Sequence, residues 1–255
     1  LVRLCARDKL PLRFRQMVMN SRAILVTGGT GALGSAIVSS LAGSTLDLHI
    51  VANFHHDQKR AKQLQDQTGC AVFRADVGNE KQVATLFESL PSPLFAVIHA
   101  AGISRDALLL RQSRADWEQM LRVNLDGTFL VVREALKRLQ DGGRLIFLAS
   151  RAGENGRSGQ AAYAASKAGA LALMKCAARE GAARRLAVNA VCPGFVPSAM
   201  NEYGSTPGSR AARRAGVFGE LGSPSETAEL VRWLLSEEAG AVSGQVLHCD
   251  SRFAV

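Results

Sequence analysis

Two tyrosines occur in the chain, Tyr163 and Tyr203, and Lys167 follows the first by four residues. That spacing is one helical turn, so the phenol and the ammonium project from one face of a helix. Together they form a proton-transfer pair, because a nearby cation favours phenolate and eases loss of the phenolic proton. Ser150 closes an apolar run thirteen residues before Tyr163, with a glycine-containing loop between them, and Asn124 lies in a helical stretch farther upstream. Taken singly, Tyr163 is an ordinary packing residue and Lys167 an ordinary solvated one. The combination says more than its parts.

A second chemical feature precedes this one. The first apolar run leads directly into Thr27-Gly28-Gly29-Thr30-Gly31-Ala32-Leu33-Gly34 and then into a helical stretch. Glycines there permit a tight turn, close approach of backbone to a pyrophosphate, and close helix-to-strand packing, while the helix start offers unpaired N–H groups and a positive dipole end. A glycine-rich turn without a ligand is the plain alternative, but this one follows a strand and opens a helix, as a dinucleotide site requires. An NAD site places Asp or Glu at the end of the second strand to accept from the ribose 2′-OH. Here that place reads Asn53-Phe54-His55-His56, with Asp47 too early and Asp57 too late. No carboxylate repels a 2′-phosphate, and His55, His56, Lys59 and Arg60 are placed to attract one. The pattern favours NADPH over NADH; the competing account has these basic residues merely solvating a helix start.

Both features need a frame that holds them. From residue 23 onward, short apolar runs alternate with amphipathic stretches, the pattern of a parallel sheet covered by helices on both faces. Strands are predicted at 23–27, 48–53, 71–75, 95–100, 144–149, 187–191 and 245–249, and helices at 33–41, 58–68, 81–90, 116–139, 161–183 and 224–236. No linker or repeat divides the series, so residues 21–255 read as a single doubly wound Rossmann-type α/β domain with a seven-stranded parallel sheet flanked by helices. Only 201–222 breaks the rhythm, with Gly204, Gly208, Gly216, Gly219, Pro207 and three arginines ahead of Gly222. A substrate lid fits that place, and a plain surface insertion is the alternative.

Composition narrows the classes. The 255 residues are 47% hydrophobic and 21% charged, ordinary for a globular protein, and no apolar run reaches the length of a membrane span. Of the net charge of +9, residues 1–20 carry +4, through Arg3, Arg7, Lys9, Arg13 and Arg15 against Asp8. The remaining +5 is scattered and aromatics are only 5%, which argues against nucleic-acid binding and suits an anionic ligand. Residues 1–20 read as a dispensable extension or a start-site artefact, with Met17 or Met19 a natural start just before the first strand and an organelle transit peptide as the alternative. Cys5, Cys70, Cys176, Cys192 and Cys249 have no C-x-x-C spacing, so the reading is buried thiols in a reducing compartment and no metal site.

Residues 21–255 resemble the short-chain dehydrogenase/reductases, above all the 3-oxoacyl-[acyl-carrier-protein] reductase branch. The resemblance runs through the glycine turn, Asp76-Val77, His99-Ala100-Ala101-Gly102, Val123-Asn124-Leu125-Asp126-Gly127, Ser150, Tyr163-Ala164-Ala165-Ser166-Lys167, Asn189-Ala190-Val191-Cys192-Pro193-Gly194 and Gly244-Gln245-Val246-Leu247-His248. Gly102-Ile103-Ser104-Arg105-Asp106 followed by three leucines is especially similar to the oxoacyl reductases. The resemblance implies a catalytic tetrad of Asn124, Ser150, Tyr163 and Lys167. Tyr163 would protonate the oxygen of a carbonyl that accepts hydride, Ser150 would orient that oxygen, Lys167 would lower the phenol pKa and hold the nicotinamide ribose, and Asn124 would hold a relay water. It implies cofactor contacts from Gly28, Thr30, Gly31, Leu33 and Gly34 at the phosphates, Asn53 and His55 near the adenosine ribose, and Asp76 and Val77 at the adenine. Ala100, Ala101 and Gly102 would border the cofactor, and Pro193, Gly194, Val196 and Ser198 would meet its nicotinamide end.

Three departures stand out. The turn reads G-G-x-G-x-x-G, as in polyketide-synthase ketoreductase domains, without the usual internal basic residue; His99 stands where Asn is common; and Ser251-Arg252 replaces two glycines. The resemblance further implies a cytoplasmic homotetramer paired through helices 116–139 and 161–183, or a mitochondrial-matrix protein if residues 1–20 are a transit peptide. Arg184 and Arg185 are placed either to attract an acidic acyl carrier protein or to complement a helix dipole. A reductase of another small ketone, quinone, sugar or alcohol is the nearest rival reading, and a non-catalytic dinucleotide-binding regulator the distant one.

Overall fold

Alternation along the strands builds two cores from one sheet. In β1 (Arg22–Thr27), Leu25 points to one face, where it joins Val97, Leu145 and Phe147, and Ile24 and Val26 point to the other with Ile98 and Ile146. Every strand pair is parallel, so both faces must be covered, which explains the nearly unbroken apolar runs of the central strands.

The computed structural model describes residues 22–45, 47–198, 210, 214 and 216–250. Its other strands are β2 (Leu48–Phe54), β3 (Ala71–Arg74), β4 (Leu94–His99), β5 (Leu139–Leu148), β6 (Ala187–Pro193) and β7 (Val246–Cys249). They form one seven-stranded sheet in the order β3-β2-β1-β4-β5-β6-β7, with its topological switch point between β1 and β4. Against one face lie α3 (Glu80–Ser89), α5 (Gly127–Arg138) and α7 (Ala161–Glu180), through Leu86, Phe87, Val131 and Met174. Against the other lie α1 (Ala32–Ala42) and α8 (Pro224–Leu234), through Ile37, Leu41, Val231 and Leu234. Burying each of these side chains contributes roughly 1.5–3 kcal/mol. Among the described residues, no helix is long and apolar enough to cross a membrane.

Local signals fix the boundaries. Asp57, too far along the chain to reach a ribose, instead caps α2 (Gln58–Thr68) by accepting from the Arg60 N–H, and Ser223 and Glu226 close a reciprocal capping box on α8. The long helix expected at 116–139 is interrupted. It consists of α4 (Arg114–Leu121), a π-helical turn (Arg122–Asp126) and α5, and Asn124 sits in the middle of that turn. A four-residue helix, α6 (Ala152–Asn155), fills the loop after Ser150, where none was expected. Residues 1–20, most of the candidate lid at 201–222, and Ser251 and Arg252 lie outside the described residues.

Candidate active site

The glycine turn is held by what would not fit there. Gly28 has φ +65, and a Cβ on it would stand 2.7 Å from the Ala101 Cα; a Cβ on Gly34 would stand 2.2 Å from the Gly28 carbonyl oxygen. The turn therefore packs directly on the segment after β4 and on the start of α1. Gly31 begins α1 with no side-chain cap and no acidic residue in the first turn. The positive end of that helix is thus presented bare, the condition for receiving a pyrophosphate.

The segment 100–102 connects this turn to the Tyr–Lys pair. A Cβ on Gly102 would lie 3.3 Å from Asn124 Oδ1 and 3.5 Å from Lys167 Nζ. Lys167, on α7, is buried and donates to the Leu148 carbonyl at 2.8 Å, with its ammonium 5.8 Å from the centre of the Tyr163 ring. Desolvation brings its pKa down to about 8. Tyr163 is raised above the usual phenol range, first by burial, with hydrogen bonding to the Ser150 side chain acting in the opposite sense. The expected lowering of the phenol by Lys167 is not what dominates: burial holds Tyr163 protonated, in the form that donates a proton. The Ser150 Oγ also accepts from the Ala152 N–H at 3.2 Å, so α6 orients it.

The Asn124 side chain is committed to protein partners. Its side-chain oxygen accepts from the Ile103 N–H at 2.8 Å, and its amide nitrogen donates to the Ile103 carbonyl at 2.8 Å and to Ser166 Oγ at 3.2 Å. Both amide hydrogens are thereby used, and the side chain works as a clamp between the π turn, the loop after β4 and α7. Its carbonyl accepts from Thr128 Oγ1 at 2.5 Å. Because Thr128 donates there, His99 Nε2 must donate to Thr128 Oγ1 at 3.0 Å, which leaves Nδ1 to accept from Thr27 Oγ1 at 2.8 Å. The buried His99, its pKa driven down to about 3 by desolvation and by Lys167, is therefore a neutral link from the glycine turn to Asn124. The histidine at this position thus makes a strand-to-strand bond through Nδ1 and a strand-to-helix bond through Nε2.

At the end of β2, Asn53 turns inward. It is buried, and its amide nitrogen donates to the carbonyls of Phe54, Phe73 and Ala75, so it ties β2 to β3 rather than reaching a ribose. Arg74 was not foreseen: it ends β3 in register with Phe54, and its Nε donates to the His55 carbonyl at 3.0 Å, bringing a guanidinium to the end of β2. The Asp76 carboxylate accepts from Gly78 N–H at 2.9 Å and pairs with Arg122 at 2.7 Å, contacts that hold it charged against the cost of burial. Thr30 and Leu33 lie in the turn and the first turn of α1, and Val77 is buried next to Asp76. Ala100 and Ala101 follow β4, and Pro193, Gly194, Val196 and Ser198 follow one another at the C-terminal end of β6, on the same side of the sheet. Arg184 is committed elsewhere. It donates to Asp141 at 3.0 Å and to the carbonyls of Leu136 and Leu139, so it caps the end of α5 instead of complementing its own helix.

A family profile described as Enoyl-(Acyl carrier protein) reductase matches residues 29–251. The chain is 33% identical to the 3-oxoacyl-[acyl-carrier-protein] reductase FabG of Aquifex aeolicus (strain VF5) over 92% of this chain and 98% of that protein. It is 32% identical to an acetoacetyl-CoA reductase of Shinella zoogloeoides, over 90% of this chain and 97% of that one. A solved short-chain dehydrogenase from Burkholderia cenocepacia J2315, in complex with NADP, superposes with a TM-score of 0.84 at 26% identity, covering 92% of this chain and 98% of that chain.

Proposed function

The chain belongs to the short-chain dehydrogenase/reductase family of oxidoreductases, and on that premise we propose that it uses NADPH to reduce the keto group of a 3-oxoacyl thioester to the 3-hydroxyacyl thioester. The observation that carries this reading is the juxtaposition of a protonated Tyr163, the Ser150 hydroxyl and the buried Lys167 ammonium beside Gly102. Relatives named for 3-oxoacyl and acetoacetyl thioesters support the substrate class.

The residues fit a dinucleotide. The uncapped start of α1 suits its pyrophosphate, and the missing Cβ of Gly102 leaves room beside Lys167 for a ribose. Asp76 and Val77 would lie toward the adenine, and Pro193, Gly194, Val196 and Ser198 toward the nicotinamide. Arg74 supplies a cation at the end of β2, beside His55 and His56, where an NAD site has a carboxylate, which favours a 2′-phosphate. When bound, the cofactor supplies hydride to the carbonyl carbon. Ser150 donates a hydrogen bond to the carbonyl oxygen and fixes its position, while Tyr163 gives that oxygen its proton as negative charge develops. The Lys167 cation stabilises the phenolate left behind, and Asn124 keeps the loop at Ile103 in place around both.

In this reading the thioester is carried by an acyl carrier protein in fatty-acid or polyketide synthesis. An acidic carrier would be attracted by Lys175 and Arg179 on α7 and by Arg185 just beyond it. Pairing of copies into a cytoplasmic homotetramer through α4–α5 and α7 belongs to the same reading, and the half-exposed Phe129 on α5 supports it. The test is kcat/KM for carrier-linked and free acetoacetyl thioesters against simple ketones, quinones and sugars, with NADPH and NADH. Preference for the thioester with NADPH is expected; negligible thioester turnover overturns the substrate assignment.

A further inference from the structure

At the C-terminal ends of β6 and β7, three chemically distinct donors from separate elements come together. Cys192 and His248 are paired residues of adjacent parallel strands, and so present side chains to the same face. Glu154, on α6 just after Ser150, lies over them and meets His248 Nε2 at 2.7 Å. The donor atoms of Glu154, Cys192 and His248 all lie within 4.8 Å of one another. Cys192 is wholly buried, and its thiol has no hydrogen-bond partner among the described residues, although it faces a carboxylate and an imidazole. Cys192 packs on one side against the apolar cluster of its sheet face, as a small apolar group would. On its other side stand Glu154 and His248, with the Arg151–Asp250 ion pair at 3.3 Å nearby, so the thiol lies where the apolar core meets polar and charged groups.

We propose that Glu154, Cys192 and His248 form a binding site for a thiophilic divalent cation of the zinc type. Thiolate, imidazole and carboxylate are the donors such an ion takes, and three protein ligands leave a fourth position open. Bond lengths of about 2.0–2.3 Å put tetrahedral ligand atoms roughly 3.3–3.7 Å apart. Glu154 and His248 must separate slightly and Cys192 approach them, movements of about an ångström that side-chain rotation supplies. Both Glu154 and His248 are about a quarter exposed, at 26% and 29%, which provides the entry path. Binding forms a metal–sulfur bond, breaks the S–H bond and releases that proton to solvent, with no change of oxidation state. The site runs against the expectation of no metal drawn from cysteine spacing, since its donors come from three elements distant in sequence. It goes beyond the reductase reading and does not depend on it, because cation binding is measured without substrate or cofactor.

The experiment titrates the full-length, chelator-treated protein with Co²⁺ as a spectroscopic probe, followed by displacement with Zn²⁺. One equivalent of Co²⁺ is expected to give a sulfur-to-metal charge-transfer absorption that Cys192→Ser abolishes, while Cys176→Ser and Cys249→Ser retain it. Glu154→Gln and His248→Asn, at partly exposed positions, are expected to weaken binding at least about tenfold, and they keep the test decisive if Cys192→Ser does not fold. Absence of a one-equivalent thiolate band, its persistence in Cys192→Ser, or undiminished affinity in both Glu154→Gln and His248→Asn overturns the proposal.

Discussion

The turn after β1 and the cluster around Tyr163 occupy the same end of one sheet, yet they are made from opposite materials. The turn depends on missing side chains: a single methyl at Gly34 would stand 2.2 Å from a backbone oxygen. The cluster depends on side chains held in surroundings that oppose their usual ionisation, with Lys167 brought down to about 8 and Tyr163 raised by burial. One region is specified by exclusion of volume, the other by exclusion of water. Substitutions should therefore separate binding from chemistry.

The largest separation is expected from Tyr163→Phe. Loss of the proton donor should lower kcat by about 10²–10⁴-fold, while NADPH affinity, read by fluorescence titration, stays at the wild-type value. Equal loss of both would break the comparison. Lys167 should show the next effect, in the pH dependence of stability. Its folded pKa of about 8 lies below the ordinary 10.5, so between those values the unfolded chain binds a proton that the folded chain does not. The destabilisation is full below pH 8 and is relieved as pH rises toward 10.5, over a range on the order of 3 kcal/mol. Urea unfolding at pH 7.5 and 10 should show this gain in the wild type and its absence in Lys167→Met; reduction rates should fall over the same rise in pH as the cation is lost.

In the turn, Gly34→Ala should reverse the pattern of Tyr163→Phe. NADPH binding should weaken sharply and stability fall by about 1–3 kcal/mol, as overpacking requires, with the Tyr163 pKa untouched. Unfolding midpoints and a phenolate absorbance titration measure the two. The smallest effect belongs to Asn53→Ala, about 1–2 kcal/mol of stability from loss of the amide bonds that tie β2 to β3, with the ratio of NADPH to NADH efficiency unchanged. A changed ratio would return Asn53 to the ribose.

The same contrast explains what could be read from the chain alone. All seven strands were legible, because short apolar runs leave little choice in a parallel sheet, although β5 begins at Leu139, five residues before its expected start; so was the glycine turn, whose letters are its mechanism. Ser150, Tyr163 and Lys167 were legible as a pattern of types and spacing, and the structure does bring them together. Asn53 and Asn124 were legible as polar residues at informative positions, but not their partners: backbone carbonyls of β2 and β3 in one case, Ile103 and Ser166 in the other. Arg74 and the Glu154–Cys192–His248 group escaped notice because each depends on the register of adjacent strands, which hydrophobic periodicity does not encode. The π turn escaped because its residues are ordinary helix formers.

That turn carries a consequence for how this region tolerates change in length. The wide turn at Arg122–Asp126 takes up one extra residue and so keeps α5 in phase with α4. Deleting one of these five would restore regular winding with α5 near its present phase, whereas a deletion at the start of α5 itself would swing everything downstream by about 100° around the axis. Val131 and Ala135 would then leave the sheet, and charged neighbours would rotate inward. Point substitutions on the outer surface of α5 should be absorbed easily, whereas a one-codon deletion at its start should not be.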